Sequence, residues 1–298
     1  MAKPKLWLGL TATSASLFTI ILAGQQVANM NEGLINDVLG LSTQKIDKIE
    51  SDEVEGSAYA EEDGSLSNDG WKRMMKDSYK FCEEAVEQGS VLFKNAEKNG
   101  KKVLPLEANE RKVTLFGRGS ANLFMRSGAG GAAPNENLVV TLDQAFENNG
   151  FEINRTVFNA YDKLGNRALT TPSTNVEWAV SNYTDAMKAT FHDYNDAAIV
   201  TFVRIGTEGT DPAKGQLDIK DAEKDLLRMI KNSGEFDKTI VLINSPMPMS
   251  MDWVDVEEFG VDAVVFMGSP GYYGAGGIVH VLMGKDARSE ERRVGKEC

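Results

Sequence analysis

Cysteine and histidine are almost missing from the chain, which carries only Cys82, Cys298, His192 and His280. So few thiols and imidazoles, so widely spaced, exclude a disulfide framework and a Cys/His zinc site. No metal and no cofactor is expected. Positive charge is also scarce: 32 Lys and Arg face 44 Asp and Glu, a formal net charge of -12. Affinity for nucleic acid is dominated by basic side chains on phosphates, so nucleic acid drops out as a partner. What remains is 298 residues that are 42% hydrophobic and 26% charged, the composition of a folded globular protein of one large or two small domains.

Long apolar runs are lacking too, with one exception near the start. Lys3 and Lys5 precede an uncharged stretch from Leu6 to Gly24, which as a helix spans roughly 28 Å, about one hydrocarbon core. Residues 1–28 therefore read as a signal anchor or transmembrane segment, with a cleaved signal peptide as the alternative. The flanking lysines put the N-terminus in the cytoplasm and the rest outside. The expected location is the cell membrane with the catalytic portion extracellular, or secreted if the signal is removed. Residues 29–70 hold eleven acids against Lys45 and Lys48, hence nine of the twelve net negative charges. They are read as a solvated acidic stalk. At the other end, residues 288–298 (RSEERRVGKEC) resemble the in-frame translation of a sequencing adapter and are read as an artefactual tail. The natural chain is then expected to continue past about Ala287.

Residues 71–287 alternate strand-like and helix-like segments, which predicts an α/β fold: a mainly parallel sheet flanked by helices, a three-layer α/β sandwich. Met75, Tyr79, Cys82 and Val86 fall on one helical face, so a helix ends near Gly89 and the strand SVLFKN follows. Further strands are expected at 113–117, 151–154, 197–204, 239–244 and 261–268. Helices are expected at 141–149, 155–164, 182–191, 220–232 and 274–284. Ligands of such sheets sit beyond the carboxyl ends of the strands, which directs attention to loops 117–136, 204–218, 244–252 and 268–274.

Three motifs stand in these loops. The stretch from Gly117 to Asn135 contains Gly117, Gly119, Gly128, Gly130 and Gly131. A dinucleotide fingerprint fails there in both frames: Gly128 lies about ten residues past the strand end, and Asn122 occupies the sixth position counted from Gly117. Close approach of the loop to a ligand or a neighbouring domain is the better reading. Ser250-Met251-Asp252-Trp253 opens a helix-like segment, so Asp252 reads as an acid at a helix start. In the loop after 197–204, Glu208 lies between Thr207 and Gly209 with Arg204 and Asp211 close in sequence. Composition alone makes that a polar surface loop.

Four segments in order resemble the α/β sandwich domain of glycoside hydrolase family 3, the β-glucosidases and related exo-glycosidases. They are EEAVEQGSVLFKNAEKNGKKVLPL, VTLFGRGSANLFMRSGAGGAAPN, VTFVRIGTEGTD and INSPMPMSMDWVDVEEFGVDAVVFMGSPGYYGAGGIVHVLMGK. Phe93, Tyr272, Tyr273 and His280 depart from the usual residues. In many members a loop resembling RISGEGYDR carries the general acid/base, and Arg204, Glu208, Gly209 and Asp211 match it, with Pro212 in place of the following arginine. The resemblance thus implies that Glu208 is the acid/base, and that Arg204, Asp211, Gly128 and Gly130 serve substrate binding or a domain interface. It places the nucleophile, an aspartate, on a TIM barrel of the same polypeptide outside these residues, in a permuted order with the sandwich first. Asp252 is not that aspartate. The implied substrate is an oligosaccharide or other glycoside, hydrolysed with retention. A non-catalytic scaffold or carbohydrate-binding domain is the second reading and a nucleotide-binding domain the third.

Overall fold

Uncharged runs rich in β-branched residues set the centre of the structure. The computed structural model describes residues 3–32, 35, 39, 67–125, 139–162, 177–206 and 211–285. The chain divides into two units, Met1–Ser57 and Ala58–Cys298.

In the first unit, helix α1 (Lys3–Met30) contains a stretch, Trp7–Met30, that is long and apolar enough to cross a membrane, with mean hydropathy 1.5. A signal sequence near an N-terminus has the same property. Thr11, Thr13 and Thr19 turn their hydroxyls back onto the carbonyls of Trp7, Gly9 and Ala15 at 2.9, 3.0 and 2.9 Å. Each hydroxyl donor is thereby satisfied within the helix, so these residues cost less in an apolar surrounding than their side chains suggest.

The second unit opens with α2 (Asn68–Gly89) and β1 (Val91–Asn95). Next come β2 (Glu97–Lys98) and β3 (Lys101–Lys102), a separate hairpin turned by Asn99 and Gly100 at φ 53° and 78°. Both turn residues occupy the positive-φ region that an Asn-Gly hairpin requires. The main sheet adds β4 (Lys112–Phe116), β5 (Glu152–Ile153), β6 (Ala197–Val203), β7 (Thr239–Asn244) and β8 (Ala263–Phe266) to β1. Its order is β1-β8-β7-β6-β4-β5, with β1 antiparallel and every other pair parallel. This is the expected mainly parallel sheet.

The central strands are buried on both faces, and alternation sorts their side chains into two cores. Ala197, Ile199, Ile240, Leu242, Ala263 and Val265 face one side, where α2, α4 (Leu142–Asn148) and α8 (Ala275–Met283) pack. Ala198, Val200, Phe202, Val241, Ile243 and Val264 face the other, against α7 (Asp221–Ser233) and the segment that contains α6 (Asp185–Lys188). Helix α5 (Arg155–Asp162), beside the edge strand β5, gives Phe158 to the first core and Val157 and Tyr161 to the second.

Two expected helices differ. Over 182–191 the chain breaks into α6 and short 3-10 turns, because Thr190 donates to the Met187 carbonyl (2.6 Å) while the Asn154 amide donates to the Thr190 hydroxyl (2.8 Å). After Ser250 there are turns and a single 3-10 turn, Glu257–Phe259. There Trp253 buries its ring against Phe202, with centroids 5.6 Å apart, and its indole N–H donates to the Ser250 carbonyl (2.7 Å). Asp252 is exposed at the surface of this turn.

The glycines of the Gly274–Gly277 run let α8 lie directly on α2. A Cβ at Gly277 would stand 2.3 Å from the Glu83 carbonyl oxygen, and one at Gly274 would stand 2.3 Å from the Pro270 oxygen and 2.6 Å from Val86 Cγ2. Backbone cannot move aside cheaply, so the gain in helix propensity from alanine loses to overpacking of about 1–3 kcal/mol. Gly277→Ala is expected to lower the denaturant midpoint, whereas Gly89→Ala, whose Cβ meets nothing within 4 Å, is expected to leave it unchanged or raise it. Equal midpoints for the two variants would contradict this account of the helix contact.

Candidate functional site

In the strand order, β4 lies between β5 and β6, so the chain leaves β4 toward one side and β6 continues the sheet on the other. The carboxyl ends of β4 and β6 therefore flank the switch point at which parallel sheets open a crevice. Among the described residues, those that border this crevice are held by named polar contacts.

The β4 side begins at Gly117, whose φ of 84° favours glycine. A Cβ there would lie 2.9 Å from the Thr201 oxygen, and one at Gly119 would lie 2.4 Å from the same atom and 2.7 Å from Val203 Cγ2. These glycines let α3 (Arg118–Ala121) sit on β6, where Ser120 donates to the Phe116 carbonyl (2.6 Å) and pairs with the Thr201 hydroxyl (2.9 Å). The close approach expected of this loop is thus, at Gly117 and Gly119, an approach to its own neighbouring strand. Gly128, Gly130 and Gly131 lie outside the described residues.

Asn244, fully buried at the end of β7, ties the loops together. Its amide accepts from the Phe124 N–H (2.5 Å) and donates to the carbonyls of Phe124 (3.1 Å) and Gly268 (2.7 Å). Phe124 then packs with Val203 and Ile205 in a small apolar cluster of its own.

The β6 side begins at Arg204, only 5% exposed. Its two terminal nitrogens donate to Glu223 Oε1 and Oε2, both at 2.7 Å, and also to the carbonyls of Val203 (2.9 Å) and Asp218 (2.7 Å). Glu223, equally buried, accepts in addition from the Lys220 N–H at 2.8 Å, as the third residue of a helix does in a capping box. The pair thus closes the loop onto the N-terminus of α7. Asp211 is exposed on that loop, and Glu208 lies outside the described residues. Sequence reading brought Arg204 and Asp211 to one loop and missed Glu223, whose signal was its spacing of three from Lys220 just ahead of an amphipathic helix.

Beside the crevice stands a titratable cluster. Glu177 accepts from the backbone N–H of Arg118 (2.9 Å) and Trp178 (2.8 Å). Burial pushes its carboxyl up to about 7, against the pull of those two N–H groups and with a further push from the charge of Glu223. Tyr161 and Tyr183 share a hydrogen bond between their hydroxyls, and Tyr161 accepts from the Gly117 N–H (3.0 Å). Burial holds both phenols well above their usual range. Among the described residues no three His, Cys, Asp or Glu side chains gather as metal ligands. A shallow hollow of about 380 Å³ between Lys188 and Glu235 lies at the amino ends of β6 and β7, the opposite end of the sheet from the crevice.

A family profile, the glycosyl hydrolase family 3 C-terminal domain, matches residues 90–289. The chain belongs to this family. Solved structures with the same fold include a β-glucosidase from Paenibacillus barengoltzii (24% identity, TM-score 0.58) and β-glucosidase 3B from Thermotoga neapolitana in complex with glycerol (23%, 0.55). An exo-β-xylosidase of the family, in complex with a xylobiose aziridine probe, is similar at 19% identity and TM-score 0.51. These matches cover 70%, 72% and 76% of this chain but only 23%, 29% and 26% of the other three. The chain therefore spans about a quarter of the length of these relatives. No curated protein matches it.

Two outcomes are expected at this family 3 site. Removing one member of a buried ion pair strands the other charge at a cost of about 3–5 kcal/mol. Chemical denaturation should therefore show Glu223→Leu to be strongly destabilised and the double variant Arg204→Met/Glu223→Leu to recover much of the loss; additive losses would contradict the pairing. For Glu177, a pKa near 7 above the ordinary 4.5 means that the folded state prefers the neutral carboxyl. The stability this confers is full below pH 4.5 and is lost as pH rises through 7. The melting temperature of Glu177→Gln relative to the parent should thus rise between pH 5 and pH 8, and a pH-independent difference would contradict the shift.

Proposed function

We propose that this domain belongs to a retaining β-glycosidase and that Glu208 is its general acid/base. The observation that carries the reading is the build of the loop between β6 and α7. Its described residues leave the switch point of the sheet on a buried Arg204, are tied by Glu223 and the Asp218 carbonyl, and include an exposed Asp211. Membership of the family supports a glycoside as substrate. The likeness to β-glucosidases about two and a half to three times as long supports a second, barrel domain of the same polypeptide as the source of the nucleophile.

Retention requires two carboxyl groups about 5–5.5 Å apart across the scissile bond. In the first step the barrel's carboxylate forms a bond to the anomeric carbon as the carbon–oxygen bond to the leaving group breaks. The Glu208 carboxyl gives its proton to that leaving oxygen. In the second step the Glu208 carboxylate takes a proton from water, and the water oxygen displaces the barrel carboxylate from the sugar. In this reading the Glu208 carboxyl carries its proton before the first step, as a general acid must. Arg204, Asp211, Gly128 and Gly130 contribute to substrate binding or to the contact with the barrel, Arg204 from its buried pair with Glu223. Helix α1 serves export, as a signal or as a membrane anchor, and places the catalytic portion outside the cell.

In the full-length polypeptide, Glu208→Gln is expected to lower kcat/KM, which reports the first step, by about 10²–10⁴-fold on alkyl glycosides and to act far less on kcat/KM for dinitrophenyl glycosides, whose leaving groups need no proton. Equal losses on both, or none, would contradict the assignment. The 298-residue chain by itself is expected to hydrolyse neither substrate, and turnover by it would contradict the division of carboxyl groups between two domains.

A further inference from the structure

Helix α2 has two faces of different character. Its second half rests on α8: Val86 and Glu87 are buried, and the Glu83 carbonyl stands where a Cβ at Gly277 would lie. Tyr79 extends that contact, its ring centroid 4.2 Å from that of Tyr273. Another stripe runs along the helix at Trp71, Met74, Ser78, Phe81 and Ala85, the i, i+3, i+7 spacing of a single face. With about 3.6 residues per turn, it lies on the side of the helix opposite Glu83 and Glu87. Trp71 is 52% exposed and Phe81 70%. Aromatic rings left in water along one helix face mark a contact surface. The first half of the helix also carries Lys72, Arg73, Lys76 and Lys80, all exposed, against the acids Asp69 and Asp77. Two ion pairs form there, Lys72 with Asp69 and Lys80 with Glu84, but both are 3.5 Å long and exposed, so they hold these lysines weakly. A local excess of positive charge is unusual in a chain whose formal net charge is -12.

We propose that the first half of α2 docks on an anionic lipid surface, with Trp71 and Phe81 seated among the headgroups and Lys72, Arg73, Lys76 and Lys80 drawn to lipid phosphates. A helix with aromatic residues on one side and Lys and Arg on the other is the form that lies in a membrane interface. Trp suits that depth because its ring is apolar and its indole N–H polar. The long stems of the basic side chains let their charges reach the headgroups from the flanks of the helix. The stripe lies opposite the contact with α8, so the helix meets a flat surface without giving up its place in the domain. A second copy of this chain fits less well, because pairing two such helices brings their cations together. The tethered form of the proposal rests on the reading of α1 as a membrane anchor. Residues 31–67 join α1 to α2, so an anchored chain presents α2 to the bilayer at a high effective concentration, and a contact too weak to form from solution becomes populated.

The test reconstitutes the full-length polypeptide into vesicles of phosphatidylcholine, alone or with about 30% phosphatidylglycerol, in a Trp7→Phe background that removes the tryptophan of α1. Trp71 fluorescence, taken as the difference from Trp71→Phe, is read against acrylamide in the water and against lipid brominated near the headgroup. In anionic vesicles Trp71 is expected to lose about half of its emission to the brominated lipid and to be shielded from acrylamide. In neutral vesicles, and in anionic vesicles at high salt, acrylamide alone is expected to quench it. Lys72→Ala/Arg73→Ala/Lys76→Ala is expected to abolish quenching by the brominated lipid; if that variant does not fold, the comparison of neutral with anionic vesicles decides. Equal quenching by brominated lipid in both vesicles overturns the proposal, and so does acrylamide access in both. Shielding from acrylamide without quenching by brominated lipid means that another part of the polypeptide or a second copy covers the stripe, and this also overturns it. Washing the vesicles with carbonate tests the anchor separately. Release of the chain overturns the anchor reading of α1, and the same quenching is then measured on chain added from outside: its presence in anionic vesicles upholds the role of α2, and its absence overturns that role as well.

Discussion

The bidentate contact between Arg204 and Glu223 governs the arrangement of this domain's functional end. Both side chains are buried, at 5% and 7% exposure, and neither charge can survive there without the other. Desolvation makes such a pair a poor source of net stability, yet it leaves few alternatives to one geometry. The guanidinium must lie in the Glu223 plane, and its spare donors then select the Val203 and Asp218 carbonyls. The end of β6, the return of the loop and the first turn of α7 are thereby set against one another. Asn244 does the same work without charge across β7, joining the loops that follow β4 and β8.

Much of this fold is legible in the sequence because it follows from periodicity. The strands TIVLIN and AAIVTFV are uncharged runs too short for helices, and α7 shows its apolar stripe at Leu226, Leu227 and Ile230. The pattern misleads where a single side chain overrides the local preference. Trp253 turns inward onto Phe202 and replaces an expected helix with a turn, and Thr190 interrupts the segment that follows Asn182. The turn at Asn99-Gly100 carried a clear signal that reading for long elements passed over.

The site is legible in a different way. Glu208, Arg204 and Asp211 stand out only through the resemblance of their loop to a family motif, since a Gly- and Thr-rich polar loop has no periodicity to interpret. Asn244 and Glu177 were not legible as site residues, because each acts through a partner distant in sequence, Asn244 on Phe124 one hundred and twenty residues away and Glu177 on Arg118 fifty-nine away; Glu223 showed its place at a helix start but not its hold on Arg204. The motif carries the proposed chemistry, and the long-range contacts hold the described residues on either side of it.

The most direct measurement is a crystal structure of the full-length polypeptide with an unreactive S-linked glycoside bound. The account predicts that the Glu208 carboxyl lies within hydrogen-bond reach of the glycosidic sulfur and about 5–5.5 Å from a carboxylate of a second domain. A different carboxyl group from this domain in that place, or two catalytic carboxyl groups both outside it, would contradict the account.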